Sequence, residues 1–385
     1  MYATISDLLR DLFGLNIPLP IQTFGFMMAL SFVGAYLASS SELKRMEANG
    51  LLKPFMVKQK VNEPVLLLDY VTAVIIGAFI GFKFLEMVLD YESLVANPQK
   101  FILSGKGSWF GALLGGAYAY YQKKKEADSL KGKEFKIVEV LTHPHELMGN
   151  IVGIAAIGGI LGAKLFHNLE NIDELMADPI GSLVSFSGLT FYGGLIVAAI
   201  GIIYYVGKHG IGAWYICDAT AAGLMLAYGM GRLGCHLSGD GDWGIDNLMP
   251  KPEWLSAFPD WVWAYTYPNN VLNEGIPIAG CVGNHCNQLA NPVFPTPLYE
   301  AVVCIGLFGL LWAVRKRFTI PGTFFMFYLL LNGIERFLIE KIRVNTTYTI
   351  FENKITQAEL ISSAFVLISV VGLIVLISNH KKKVA

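Results

Sequence analysis

Apolar residues run along this chain in long stretches, and polar residues gather in the intervals between them. A hydrocarbon core takes about 20 predominantly apolar residues per helical crossing. On that measure the sequence predicts spanning helices near 19–40, 65–88, 108–122, 148–166, 188–206, 213–234, 298–314, 321–340 and 357–378. The expected fold is all-α: a polytopic helical membrane protein with about nine transmembrane helices. The one long interval, 236–297, is rich in Trp, Tyr, Pro and Asn. It reads either as an aromatic belt at headgroup level or as a platform for a polypeptide.

The pattern also repeats. Gly81-Phe-Lys-Phe-Leu-Glu86 aligns with Gly162-Ala-Lys-Leu-Phe-His167, Asn97-Pro98 with Asp178-Pro179, and Trp109-Phe110-Gly111 with Phe191-Tyr192-Gly193. Each copy reads as helix, loop, helix. The expected organisation is a first helix and cytoplasmic loop (1–64), an added helix pair (65–147) and a core (148–385).

Composition agrees with the bilayer: 54% of residues are apolar and 15% charged. The first 20 residues carry no basic n-region or small-residue cleavage site, so the first span is expected to be retained. Loops after the odd-numbered spans, with the tail, hold 18 basic residues, among them Lys44, Lys123 to Lys125 and Lys381 to Lys383; the opposite loops hold seven. The positive-inside bias then puts the amino terminus and the loop 236–297 outside and the carboxyl terminus in the cytoplasm. No basic cluster is interleaved with aromatics, which excludes nucleic acid as a partner. Cys281 and Cys286 share the outside loop and are expected to form a disulfide. No metal site or cofactor is expected.

Chemistry concentrates in Gly229-Met-Gly-Arg-Leu-Gly-Cys-His-Leu-Ser-Gly-Asp-Gly-Asp-Trp-Gly244. Arg232 stands where a spanning helix should still be apolar, at about 2.5–3.5 kcal/mol, so it needs an anion, a carboxylate or a wet cavity, or must snorkel to the interface. Arg336 falls inside the eighth span with Glu335 beside it and Glu340 four residues on, a spacing at which Arg336 and Glu340 can simply pair.

Gly231-Arg232-Leu233-Gly234 followed by Trp243-Gly244 resembles the signature of the prolipoprotein diacylglyceryl transferase family. There the pattern reads Gly-Arg-x-Gly-Asn-Phe-x-Asn-x-Glu-x-x-Gly. Cys235 and His236 replace Asn-Phe, Ser238 replaces the second Asn, and Asp240 or Asp242 replaces Glu. Further elements resemble the family in order: Gly162-Ala-Lys164 its Gly-Ala-Arg, Phe191-Tyr192-Gly193-Gly194 its Phe-His-Gly-Gly, and Leu298-Tyr299-Glu300 its Leu-Tyr-Glu. Arg336-Phe337-Leu-Ile-Glu340-Lys-Ile-Arg343 resembles its Arg-Phe-x-x-Glu-x-x-Arg.

The resemblance implies a bacterial inner-membrane enzyme, without cofactor. It would move the diacylglyceryl group of phosphatidylglycerol to the lipobox cysteine of preprolipoproteins, among membrane lipids. It assigns catalysis to Arg232, Arg336, Tyr192, Asp240 and His236. It assigns substrate binding to Gly231, Gly234, Gly193, Gly194, Glu335, Glu340, Tyr299, Glu300 and Lys164. Tyr192 stands where the family has a histidine, and a phenol with a pKa near 10 is first a hydrogen-bond donor. His167, His236, Asp240 and Asp242 remain as bases, and the choice stays open. The rival readings are an anion or lipid transporter, against which the tandem repeat counts because it does not divide the chain into halves, and a non-catalytic lipid- or lipoprotein-binding homologue.

Overall fold

The computed structural model of the protein describes residues 1–96, 98–184, 190–350 and 353–384. Asn97 of the repeat motif and the first residues of the predicted 188–206 span lie outside the described residues.

Every predicted span corresponds to a helix. These are α1 (Thr23–Ala48), α2 (Leu67–Leu89), α3 (Trp109–Leu130), α4 (Met148–Glu170), α5 (Phe191–Lys208), α6 (Ala213–Ser238), α7 (Thr296–Val314), α8 (Thr323–Ile339) and α9 (Gln357–Val384). Among the described residues, five stretches are by length and composition long and apolar enough to cross a membrane: Thr23–Ala48, Leu67–Leu89, Pro144–Glu170, Thr296–Arg317 and Gln357–Lys382. Along α2 no residue is buried, and Leu67, Ile75 and Phe79 stand fully outward, as expected of a helix whose surroundings are hydrocarbon. The fold is an all-α polytopic membrane protein.

Helices outrun their apolar stretches where local chemistry continues them. α1 runs on to Ala48, with Glu42 binding Arg45 one turn later at 2.5 Å. α8 starts where Asp218 of α6 accepts the Gly322 and Phe325 N–H groups, each at 2.7 Å, satisfying donors a helix start leaves open. Three small antiparallel or paired strand elements appear where connections were expected: β1 (Phe55–Val61) with β2 (Lys136–Thr142), β3 (Ile276–Pro277) with β4 (Asn287–Gln288), and β5 (Thr347–Ile350) with β6 (Asn353–Thr356).

The chain divides into two compact units, one of residues 2–23 and 56–142, the other of Met1, 24–55 and 143–385. In the first unit α2 packs on α3 at glycines: a Cβ on Gly81 would lie 2.2 Å from the Gly111 carbonyl oxygen. In the second, α4 packs on α5 in the same way, with a Cβ on Gly162 lying 2.5 Å from the Gly193 oxygen. These are the positions the repeat aligns, and both pairs use small residues to bring helix backbones together. Each pair carries two six-residue helices at its tip, Tyr91–Ala96 and Pro98–Leu103 in one, Ile172–Ala177 and Pro179–Val184 in the other. The Ser108 N–H to Phe82 oxygen bond at 3.0 Å has its counterpart in Thr190 N–H to Ala163 oxygen at 3.1 Å.

The second unit has three apolar cores. Leu43, Met46, Met148, Ile151, Val206 and Ile216 join α1, α4, α5 and α6 at the end away from the long loop. Met225, Cys304, Leu311 and Phe324 join α6, α7 and α8. Trp243, Tyr267 and Val293 hold the loop between α6 and α7. Cys281 and Cys286 are bonded in that loop.

Candidate active site

Four chain segments converge on one buried carboxylate. α6 brings Tyr228 and Arg232, the turn after it brings Asp242, α7 opens with Glu300, and α8 with the turn beyond it brings Arg336, Glu340 and Arg343. Glu300 is 0% exposed. Its Oε1 accepts from the Tyr228 hydroxyl at 2.8 Å and Arg336 Nη1 at 2.9 Å; its Oε2 accepts from Arg343 Nη1 at 3.0 Å and lies 3.3 Å from Arg232 Nε. Four donors thus meet the roughly four lone-pair sites of one carboxylate. Such completeness is what a buried charge needs, since an unpaired one would cost several kcal/mol.

Asp242 is the second bridge, binding Arg232 Nη1 with one oxygen and Arg343 Nη2 with the other at 2.5 Å. Burial alone would raise its carboxyl, but Arg232 and Arg343 outweigh that and hold it below the usual carboxylate range. Glu340 is the third acid, with Oε2 2.9 Å from Arg336 Nη2 and Oε1 accepting from Asn345 at 2.6 Å. Three guanidinium groups are therefore matched by three carboxylates. Glu335 is buried beside them, within electrostatic reach of Glu300 and all three arginines.

Backbone pairing sets the register. Gly244 bridges to Arg343, the Gly244 N–H reaches the Phe294 oxygen at 2.9 Å, and the Ile245 N–H reaches the Ile342 oxygen at 2.9 Å. A Cβ on Gly244 would lie 2.5 Å from the Ile342 oxygen, so only glycine lets these strands meet. Thr296, which opens α7, donates its hydroxyl to the Asp242 backbone carbonyl at 2.8 Å.

The remaining candidates fall around this cluster or away from it. Tyr192 on α5 stands within electrostatic reach of Arg336 and Glu340. Asp240 sits beside Cys235, and burial raises its carboxyl above the ordinary range; one of its oxygens is buried without a hydrogen-bond partner. The ligand atoms of Cys235, Asp240 and Asp242 lie within 4.8 Å of one another. Both Asp242 oxygens are committed to arginines, so a dication there would face two guanidinium charges. His236 is turned into the loop: its Nδ1 is 3.2 Å from the Tyr267 hydroxyl and its ring stacks on Trp261 at 6.1 Å. Tyr299 donates to the Val262 oxygen at 2.8 Å, tying α7 to the loop. A Cβ on Gly234 would lie 2.9 Å from that of Met27, and one on Gly194 2.7 Å from the Gly159 oxygen, so these glycines, like Gly193, serve helix packing, whereas Gly231 has room beside Met28. Lys164 is buried within α4.

Tyr228, Asp242 and Arg343 complete the cluster; the sequence had offered Asp242 as a replacement for the family Glu and as a base, and Arg343 as the end of a motif, but had not singled out Tyr228. Tyr228 had a local signal, one helical turn before Arg232, whose guanidinium lies over its ring at 5.3 Å. Arg343 had only its spacing from Glu340.

The model of the family described as prolipoprotein diacylglyceryl transferase matches residues 131–375. The chain belongs to that family. A phosphatidylglycerol–prolipoprotein diacylglyceryl transferase of Corynebacterium diphtheriae is 28% identical over 203 residues, covering 51% of this chain and 67% of the relative. One of Dehalococcoides mccartyi is 26% identical over 199 residues, covering 51% and 65%. One of Symbiobacterium thermophilum is 29% identical over 229 residues, covering 57% and 71%. The chain thus spans about two thirds of the length of such relatives. The transferase-family match begins at residue 131 and leaves out the first helix pair, as the motifs had.

Proposed function

We propose that this protein transfers the diacylglyceryl group of phosphatidylglycerol to the lipobox cysteine of preprolipoproteins. The reading places it in the bacterial inner membrane, with the loop between α6 and α7 outside and the carboxyl terminus in the cytoplasm. The observation that carries it is the three-arginine cluster around Glu300 in a member of this family.

In this reading the substrate thiolate attacks the glyceryl carbon that bears the phosphate. The C–O bond breaks, its electron pair leaves on the phosphate oxygen, a thioether forms, and glycerol phosphate departs. Arg232 and Arg336 hold the phosphodiester. Arg232 spends Nη1 and Nε on protein carboxylates and keeps Nη2; Arg336 spends both Nη atoms and keeps Nε. They are 17% and 22% exposed, whereas Arg343 is 6% exposed and serves as a buttress. Because each guanidinium is already matched by a carboxylate, the phosphate is held by directional donors fixed in advance, the arrangement that stabilises developing charge best. Asp240 takes the thiol proton: it makes no ion pair among the described residues, and its raised pKa suits a base. His236 and Tyr299 order the loop.

The test is complementation of a bacterial strain depleted of its own transferase, scored by lipidation of a reporter lipoprotein. Restored lipidation supports the reading. Stable expression without lipidation turns the assignment toward the lipid-binding homologue.

A further inference from the structure

The opposite end of α1 carries a second polar constellation that the proposed reaction does not use. A cavity of about 500 Å³ is lined by Tyr36, Leu37, Ser40, Ser41 and Lys44 of α1 and by His145 and Glu146. That volume lies in the range of small-molecule sites. Met28 beside Gly231 marks the level of the arginine cluster, and Lys44 lies about 24 Å further along the helix by its rise.

Three features give the cavity a chemistry. Ser31, Ser362, Ser363 and Ser369, on helices of the same unit, return their hydroxyls to carbonyls of their own helix, as serines in apolar helices do. Ser40 and Ser41 make no such bond among the described residues, and Lys44 makes no ion pair there. His145, which also lines the cavity, has its Nδ1 buried without a hydrogen bond, 4.0 Å from Glu47. The lining is also graded: exposed Tyr36 and Leu37, then two hydroxyls a turn later, then the ammonium a turn beyond. That order matches acyl chain, glycerol and phosphate.

We propose that this cavity binds the phosphate headgroup of a membrane phospholipid, as a second lipid site separate from the arginine cluster. Lys44 takes the phosphate oxygens, and Ser40 and Ser41 donate to the oxygens at the glycerol end of the headgroup. Glu146, whose carboxylate also accepts the His143 N–H at 2.9 Å, is the acid in the same lining. It favours a headgroup that carries a hydroxyl or ammonium donor over bare phosphate.

Native mass spectrometry of the full chain in detergent, titrated with phosphatidylglycerol, tests this independently of any transfer reaction. Wild type is expected to hold one more lipid than the Lys44→Gln/Ser40→Ala variant, whose affinity for that lipid falls at least about tenfold, the effect of losing a charged hydrogen bond. Arg232→Lys is expected to retain it. Each single variant is measured as well, so that a folding defect of the pair does not decide the matter. Equal lipid binding by wild type and all variants overturns the site. Equally tight binding of diacylglycerol overturns the phosphate assignment. Equally tight binding of glycerol phosphate or inorganic phosphate overturns the lipid as source and leaves a soluble anion site.

Discussion

Replacing Glu300 with glutamine changes one charge and almost no volume, and it should unfold this end of the bundle before it changes anything else. Glu300 receives the Tyr228 hydroxyl and faces three guanidinium groups. Glutamine keeps one acceptor oxygen but turns an NH2 donor toward guanidinium groups, which only donate. The cluster is left with three arginines and two carboxylates, Asp242 and Glu340. Removing one partner from a buried charge network costs about 3–5 kcal/mol, because the remaining charges stay buried and uncompensated. At 1.4 kcal/mol per factor of ten, the folded-to-unfolded ratio should fall by roughly two to three and a half powers of ten. Thermal unfolding in detergent reads the loss, and lipid transfer measured well below the transition separates stability from chemistry. A Glu300→Gln protein that unfolds with the wild type would refute the reasoning, since it would mean that the arginines do not depend on this carboxylate.

Other outcomes follow from individual residues. Asp240→Asn should lower transfer by roughly 10²–10⁴-fold and abolish the acid limb of the pH–rate profile. Burial raises the Asp240 carboxyl, so its contribution to stability is present at low pH and is lost as pH rises through the folded pKa; the asparagine protein should be no less stable at neutral pH. Asp242 has the opposite sign: its carboxyl is lowered, so its contribution is present above the ordinary carboxylate pKa and is lost as pH falls through the folded one. Asp242→Asn should therefore remove a stabilisation seen at neutral pH. Gly244→Ala must displace the Ile342 carbonyl and with it Arg343, and should reduce both melting temperature and transfer. The Cys281→Ser/Cys286→Ser protein should lose loop stability while transferring near the wild-type rate, because the bonded pair makes no contact in the arginine cluster among the described residues; loss of transfer in a folded protein would contradict this.

Helix positions were legible because each apolar stretch is long enough to fix an element by itself. Their polar extensions were not: α1 reaches Ala48 through Glu42 and Arg45, beyond any hydropathy boundary. Strands such as Phe55–Val61 were hidden because they pair with residues about 80 positions away and remain mostly exposed. At the site, Arg232, Arg336, Glu300 and Glu340 announced themselves as charges inside or at the edge of apolar runs. Arg343 showed only as the end of the Arg-Phe-x-x-Glu-x-x-Arg resemblance, because it follows the helix in a polar turn and by charge reads as loop; its pairing with Gly244 brings it to Glu300. His236 drew notice as a base near the signature, yet the aromatic loop residues that enclose it come from positions 261–267, which no local spacing connects to it.

Transfer from labelled phosphatidylglycerol to a lipobox peptide by the purified protein, read as the mass of the diacylglyceryl adduct, tests the phosphate-holding role most directly. Arg232→Lys and Arg336→Lys keep the charge but lose the planar fork, and each should transfer roughly ten- to a hundredfold more slowly than wild type. Lysine proteins that transfer at the wild-type rate, or a folded wild type that forms no adduct, would contradict the account.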